Sequence, residues 1–191
     1  MTSTTISAPA AGASTTWQLD PAHTNVEFSV KHLMLARVKG RFTGVAGTVM
    51  LAEPTASTVE VVIDAASIDT REAKRDAHLR SADFFDVERF PTITFRSSDV
   101  RPAGAGDLRI VGDLTIRDVT REVTLEVTDE GRGTDPWGGE RAGFSATAVI
   151  DRRDFGLTWN QALETGGVLV GNEIRISLEV ELVKQASADA A

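Results

Sequence analysis

Apolar and polar residues alternate along much of this chain. Between residues 26 and 32 the even positions are Val, Phe, Val and His, and the odd positions are Glu, Ser and Lys. Side chains two positions apart lie on the same face of a β-strand, so this segment predicts a strand with one buried and one exposed face. The same pattern returns at least seven times before residue 184. Half-buried strands without a second layer of helices must close around their own apolar face, which predicts an all-β protein.

Turn residues divide the alternating pattern into separate strands. We predict a short entry strand at 17–19 and eight long strands at 26–32, 41–51, 58–63, 92–97, 108–116, 122–127, 141–150 and 174–183. No strand–helix–strand unit of a parallel sheet interrupts them. Because closure removes the exposed edges of a sheet, the sequence predicts an eight-stranded antiparallel β-barrel.

Two stretches depart from the alternation. Asp69 followed by Glu72 is typical of a helix N-cap with its partner three residues later, and helix-forming residues follow. We therefore predict one short helix at about 70–81. Residues 33–38 are apolar without alternation, which favours a helical turn or a bent crossing.

Composition and charge limit the classes of partner. The chain has 191 residues, of which 41% are hydrophobic and 25% are charged, as is usual for a globular domain. Its net charge of −8 argues against a nucleic-acid partner, because phosphates require a basic surface. No apolar run approaches the roughly 18–20 residues of a transmembrane segment. The absence of cysteine excludes disulfides, thiolate nucleophiles and cysteine-ligated zinc.

The two ends of the chain are low in apolar residues. Residues 1–15 are Thr, Ser, Ala, Gly and Pro apart from the initial Met and one Ile, without the basic start and apolar middle of a secretory signal. We predict a disordered N-terminal tail at 1–15, one barrel domain at 16–184 and a second tail at 185–191. The expected location is cytoplasmic.

Candidate catalytic and metal-binding groups are few. The three histidines are far apart in the sequence and lack the helical spacing of a zinc pair. His32 is predicted to face inward, either as a hydrogen-bonded anchor or as a polar contact to a ligand. A serine triad fails, because Ser29 and His32 lie on opposite faces of one strand and no nucleophile elbow is present. We predict no metal, no cofactor and no catalytic residue.

Aromatic side chains are concentrated in two polar loops. Phe84 and Phe85 lie in the loop at 81–91, and Phe155 and Trp159 lie in the loop at 151–171. Side chains of this size need a place to pack. Two interpretations remain open: they plug one end of the barrel, or they line the rim of an opening into it.

Several strings of residues resemble the YceI family of polyisoprenoid-binding or lipid-binding proteins. They include Asp-Pro-Ala-His at 20–23, Val-Lys-Gly-Arg-Phe at 38–42, His-Leu-Arg-Ser-Ala-Asp-Phe-Phe-Asp at 78–86, Phe-Pro-Thr-Ile-Thr-Phe at 90–95 and Asp-Arg-Arg-Asp-Phe-Gly at 151–156. The similarity runs in order from about residue 17 to residue 184. The string at 78–86 is distinctive by itself.

This resemblance implies a lipocalin-like barrel with an elongated apolar lumen. It also implies non-catalytic binding of a long-chain amphiphile such as a polyprenyl phosphate, an isoprenoid quinone or a fatty amide, and a role in isoprenoid transport or sequestration. Many relatives are exported to the periplasm, whereas this chain shows no signal segment at its start. Relatives are often dimers, so a homodimer is one expectation.

The resemblance and the alternation together predict the ligand-binding residues. The inward positions expected to line the lumen are Phe28, Val30, Met34, Phe42, Val61, Ile63, Phe95, Leu114, Phe144 and Ile176. A polar head is expected to meet His32, Arg80 or Asn160. Phe84 and Phe85 are expected to form a lid, with Phe155 and Trp159 nearby. Two alternatives are a filled barrel that binds other proteins and, less favoured, an enzyme that uses His32 as its acid or base.

Overall fold

The structure is a computed structural model that describes residues 14–52, 56–104, 106–164 and 167–186. Apart from residues 14, 15, 185 and 186, the two predicted terminal tails lie outside these ranges. The described residues contain eleven strand segments, one α-helix (α1, Ala73–Arg80) and two short 3₁₀ turns (Ala65–Ser67 and Arg152–Phe155). None of the described helices is both long and apolar enough to cross a bilayer.

The strand segments form one antiparallel sheet. They are β1 (Thr15–Leu19), β2 (Asn25–His32), β3 (Ala36–Phe42), β4 (Val45–Leu51), β5 (Thr58–Asp64), β6 (Ile68–Asp69), β7 (Thr92–Gly104), β8 (Asp107–Ile116), β9 (Val119–Thr134), β10 (Glu140–Asp151) and β11 (Val170–Lys184). Eight of them form a closed ring in the order β1-β4-β5-β7-β8-β9-β10-β11, because β1 pairs with both β4 and β11.

Three long strands of the barrel are bent. β1 pairs with β11 at 182–184 and β2 pairs with the same edge of β11 at 170–179, so β1 and β2 are two halves of one strand. β3 pairs with β2 and β4 pairs with β1, so β3 and β4 form a second bent strand. β5 pairs with β4 and β6 pairs with β3, so β5 and β6 form a third. The eleven segments are therefore eight strands. This confirms the predicted all-β, lipocalin-like antiparallel barrel with one short helix.

The predicted continuous strand at 41–51 is interrupted at residues 43 and 44. A Cβ on Gly44 would lie 3.0 Å from the Cβ of Asp64, and the Gly44 carbonyl accepts a hydrogen bond from the Asp64 amide at 2.8 Å. Glycine lets the two bent strands approach closely at this corner.

The helix begins later than predicted. Glu72, not Asp69, is the N-cap, and its carboxylate accepts hydrogen bonds from the Lys74 and Arg75 amides at 3.2 and 2.6 Å. Asp69 instead lies in β6, where its carboxylate accepts a hydrogen bond from the Arg71 amide at 2.9 Å.

The helical turn or bent crossing predicted at 33–38 is wrong, because β3 already begins at Ala36. Leu33 and Met34 form the tip of a hairpin between β2 and β3, with φ angles of 52° and 58°, and the Leu35 amide donates to the His32 carbonyl at 3.0 Å. Consecutive left-handed residues are normally Asn and Gly, and each non-glycine residue there costs about 1–2 kcal/mol. An apolar pattern alone did not indicate this turn.

The interior is densely packed at one end of the barrel. Trp17, Ala142 and Leu182 are at most 2% exposed, at the end where β1 closes the ring. Farther along β11, the inward side chains of Ile174 and Ile176 are only half-buried. Inward apolar side chains that remain accessible indicate space inside the barrel.

A charged network joins the turn after β1 to two neighbouring strands at this end. Arg141 Nη1 donates to Asp20 Oδ2 at 2.6 Å and to Glu181 Oε1 at 2.7 Å, and Arg141 Nε donates to Asp135 Oδ2 at 3.0 Å. The His23 ring lies 3.0 Å from Asp20 Oδ2. The hydrogen bond from His23, assisted by the Ala22 amide and Arg141, lowers the pKa of Asp20 to about 2.

The pKa of Asp20 predicts a loss of stability in acid. A carboxyl whose pKa is lowered on folding stabilises the protein above its unfolded value of 3.8 and loses that contribution as the pH falls toward 2. We therefore expect wild type to be more stable than Asp20→Asn above about pH 4, with the difference shrinking as the pH falls. Urea denaturation of both proteins across this range measures it. A difference that stays constant with pH would contradict the assignment.

Close packing at Gly112 predicts a sensitive position in β8. A Cβ there would lie 2.5 Å from the Arg96 carbonyl oxygen and 2.6 Å from the Phe95 ring. We expect Gly112→Ala to lower the free energy of unfolding by about 1–3 kcal/mol. In β9, a Cβ at Gly133 has nothing within 4 Å. Gly133→Ala is the matched control, and we expect it to be neutral or stabilising by up to about 1 kcal/mol. Equal effects of the two substitutions in urea denaturation would refute this account.

Candidate ligand-binding cavity

The barrel encloses an elongated apolar cavity of about 430 Å³. Its walls are the inward side chains of every strand segment except β6, together with Leu79 of α1 and the loop residues Phe84 and Phe85. This volume lies within the range of about 300–1,000 Å³ found for small-molecule sites. The filled-barrel alternative requires a smaller interior.

The cavity is long and narrow. Its lining follows β11 from Val170 to Leu182, twelve residues apart, or about 40 Å along the strand at the rise of an extended chain. The tilt of strands in a barrel reduces this to about 30 Å along the axis. A volume of about 430 Å³ distributed over this length has the width of one extended chain.

Few polar residues line this surface. They are Thr24, Glu27, Ser57, Asp129, Arg132 and Arg152. All except Arg152 are at least partly exposed to solvent. Arg152 is 3% exposed and belongs to the 3₁₀ turn that follows β10.

Arg152 holds the long loop between β10 and β11. Its Nη1 donates to the Leu157 carbonyl at 2.5 Å and to the Trp159 carbonyl at 2.9 Å, and its Nε donates to the Gly171 carbonyl at 2.9 Å. Nη2 donates to Asn172 Oδ1 at 3.2 Å. The loop is therefore fixed to the barrel through one guanidinium.

The charge of Arg152 is not neutralised by an ion pair. Among the described residues, no carboxylate oxygen lies within 4.0 Å of its nitrogens, and the adjacent Asp151 pairs with Arg153 at 2.6 Å. Burial lowers the pKa of Arg152 from its usual value, yet arginine stays protonated in proteins. A buried cation bound only by neutral oxygens is electrostatically suited to an anionic partner.

Eleven of the seventeen predicted ligand-binding residues line the cavity. They are Phe28, Val30, Phe42, Val61, Ile63, Phe84, Phe85, Phe95, Leu114, Phe144 and Ile176. The alternation was sufficient to find the inward face in these strands. Phe84 and Phe85 come from the loop after α1, and the Phe85 ring packs edge-on against Phe42 at 5.7 Å.

Met34 is a correction to the predicted lining. It is 55% exposed at the hairpin tip, because the left-handed turn ends the alternation of β2.

The two aromatic residues between β10 and β11, Phe155 and Trp159, do not line the cavity. Phe155 is 2% exposed in the core and does not line the cavity. The Trp159 ring packs on His78 at 4.7 Å and on Phe84 at 5.3 Å, so it supports a lining residue from outside.

The three residues predicted to meet a polar head do not line the cavity. Arg80 donates to the Ala66 and Ile68 carbonyls at 2.7 Å each. The Asn160 side chain donates a hydrogen bond to the Val170 carbonyl and accepts one from the Val170 amide. His32 is half-buried at the end of β2.

Sequence reasoning missed Arg152, which does line the cavity. Its only sequence signal was its place in the string at 151–156, because its acceptors are backbone carbonyls that no pattern reveals.

One group outside the cavity has the composition of a metal site. Ligand atoms of Asp20, His23 and Glu181 all lie within 4.8 Å of one another. Arg141 Nη1 already donates to both carboxylates. A fixed cation in contact with the carboxylates disfavours a second cation there, so we interpret the group as the ion network described above.

Comparisons with known proteins agree with this fold. A family model described as the YceI-like domain matches residues 17–182. A UPF0312 protein of Vibrio cholerae is 40% identical over 156 residues, which cover 80% of this chain and 82% of that protein.

Two solved structures are similar over most of their length. A YceI protein of Campylobacter jejuni is 28% identical with a TM-score of 0.69, covering 82% of this chain and 90% of that one. A structure described as a polyisoprenoid binding domain from Saccharophagus degradans is 14% identical with a TM-score of 0.64, covering 88% and 98%. The second similarity supports the fold alone.

Proposed function

The chain belongs to the YceI-like domain family, and from that premise we propose that it binds one long-chain amphiphile of the polyisoprenoid type inside its barrel. The observation that supports this proposal most directly is the narrow apolar cavity of about 430 Å³. Its walls offer hydrocarbon contact along their whole length and few polar groups, which suits a flexible apolar tail.

Energetics favour a long tail over a short metabolite. Each buried methylene contributes about 0.8 kcal/mol. Micromolar affinity requires about 8 kcal/mol net, and immobilisation costs about 4–15 kcal/mol. About 15–30 buried carbons are then needed if apolar burial supplies all of the affinity. A polyisoprenoid meets this requirement.

We assign the polar head to the end of the cavity at Arg152. An anionic head such as a phosphate would lie beside a buried positive charge that has no described carboxylate partner. Arg80 and Asn160 do not line the cavity, so they are not part of the revised proposal.

Carriage or sequestration describes this role better than catalysis. No described residue makes a hydrogen bond to the His32 ring, and His32 does not line the cavity. A general acid or base needs to reach the bound molecule. The expected cytoplasmic location and homodimer are retained as parts of this proposal.

A bulky substitution in the wall tests whether the cavity is the site. Ala146 is 7% exposed and lines the cavity, whereas its neighbour Thr147 faces outward and is exposed. We expect Ala146→Trp to fill the narrow channel and weaken binding of a fluorescent polyprenyl probe at least about tenfold, a loss of about 1.4 kcal/mol or more. Thr147→Trp is the control and should bind as wild type does. Circular dichroism verifies that both variants fold. Undiminished binding by a folded Ala146→Trp protein would refute the cavity as the site.

Wild-type protein tests the polar head without a mutation. We expect a polyprenyl phosphate to bind at least about tenfold more tightly than the alcohol of the same chain length, because only the phosphate pairs with the Arg152 charge. Titration calorimetry at constant ionic strength measures both affinities. Equal affinities, or tighter binding of the alcohol, would refute the assignment of Arg152 while leaving the apolar site intact.

A further inference from the structure

We propose that the tip of the β2–β3 hairpin, Leu33–Met34–Leu35, and the cations beside it form a docking surface for anionic lipid membranes. This goes beyond ligand binding, since it concerns where the barrel meets its lipid source. The two proposals rest on different residues and are tested separately.

Exposure is the first observation. Leu33, Met34 and Leu35 are 37%, 55% and 89% exposed, three consecutive large apolar side chains at one tip. Single exposed apolar residues are ordinary on protein surfaces, but a contiguous group marks a contact with another apolar phase. Val168, on the adjacent segment, is also exposed at 36%.

The backbone at the tip is the second observation. Leu33 and Met34 both have left-handed φ angles, a conformation that Asn and Gly adopt at much lower cost. The chain keeps two large apolar residues where the turn disfavours them. Strain of this kind is concentrated at functional positions, and here it accompanies apolar surface directed into solvent.

The charge beside the tip is the third observation. Residues 28–42 contain Lys31, Arg37, Lys39 and Arg41 and no carboxylate, although the whole chain carries −8. In the hairpin register Lys31 pairs with Arg37, and both are exposed, so their side chains share the outer face. Lys39 pairs with Ser29 on that same face.

Only part of this charge is neutralised within the protein. Arg41 pairs with Asp69 at 3.1 Å, and Arg37 lies 3.9 Å from Glu173. Within the described ranges, Lys31 and Lys39 have no carboxylate within 4.0 Å. The outer face of the hairpin therefore keeps a local positive charge on an acidic protein.

An anionic membrane matches both features. Apolar side chains enter the boundary between headgroups and acyl chains, and adjacent Lys and Arg attract anionic headgroups. A second copy of this chain fits poorly, because a two-fold contact through the tip would bring the same cations together. Three side chains also fall short of the roughly 800 Å² per partner of a stable protein interface.

Docking at the tip would bring the cavity close to the bilayer. Val30 lines the cavity and lies three residues before Leu33, or about 10 Å along β2. The Leu33 amide also donates to the Leu169 carbonyl at 2.9 Å, next to Val170, which lines the cavity. The end of the cavity that contains Arg152 would then face the headgroups.

Vesicle sedimentation of the full chain tests the proposal. The probes are vesicles of phosphatidylcholine alone and of phosphatidylcholine with phosphatidylglycerol in equal parts. We expect wild type to bind the anionic vesicles and to dissociate as salt is raised. Leu35→Glu should weaken the partition coefficient about tenfold or more. Lys39→Gln should weaken it about fivefold.

Matched controls lie at the opposite end of the barrel. Trp137 is 86% exposed in the β9–β10 turn, so Trp137→Glu removes an exposed apolar side chain and adds the same charge as Leu35→Glu. Lys184, which pairs with Glu140 at 2.6 Å, gives Lys184→Gln as the control for net charge. Both controls should bind vesicles as wild type does.

Several results would overturn the proposal. They are no binding of wild type to anionic vesicles, equal losses in Leu35→Glu and Trp137→Glu, or a change from dimer to monomer in Leu35→Glu without any vesicle binding by wild type. Ligand affinity of Leu35→Glu, measured without vesicles, should equal that of wild type. Vesicle binding that persists in Ala146→Trp separates this surface from the cavity.

Discussion

Pairing of one short strand on both of its edges determines the rest of this structure. β1 hydrogen-bonds to β4 on one edge and to β11 on the other, and this closes eight strands into a ring. Closure leaves no free edge in the ring and fixes the diameter of the barrel. An eight-stranded barrel of this size either fills with side chains or holds one ligand. Side-chain packing determines whether the barrel is filled or hollow. Here Trp17 and Leu182 are buried at one end, and the half-buried residues of β11 leave space farther along the barrel.

The three bent strands explain why the other end needs additional cover. Beyond each bend the segments β2, β3 and β6 leave the closed ring and pair only among themselves and with β11. Helix α1 supplies part of the missing wall with Leu79, and the loop after it supplies Phe84 and Phe85. The aromatic contact of Trp159 with His78 and Phe84 joins the loop between β10 and β11 to that helix. Arg152 then fixes the same loop to the barrel by hydrogen bonds to its carbonyls.

The alternation of apolar and polar residues predicted which strand residues face inward, because side-chain direction in a strand repeats every second residue. In β5 the inward residues Val61 and Ile63 follow directly from the sequence, because each strand has one dry face along its whole length. The pattern failed at Met34, because a left-handed turn changes side-chain direction without any change in hydropathy. It also failed at Arg152, whose acceptors are backbone carbonyls in the loop after it and at the start of β11, which no side-chain pattern reveals. The sequence predicted the helix but not its first residue, because both Asp69 and Glu72 can cap a helix. In the structure Asp69 belongs to β6, and Glu72 is the cap.

The buried end of the barrel beside Trp17 has a consequence for which ligands fit. Leu19 and Leu182 line the cavity there and Trp17, 2% exposed, is not part of the lining, so hydrocarbon can extend inward only as far as the packed side chains at this end. The walls above it are smooth hydrocarbon with few polar groups, so they distinguish tails poorly by their double bonds or methyl branches. The length of the tail, rather than its chemical detail, then determines which ligands fit, and any excess length must fold back or remain outside the barrel.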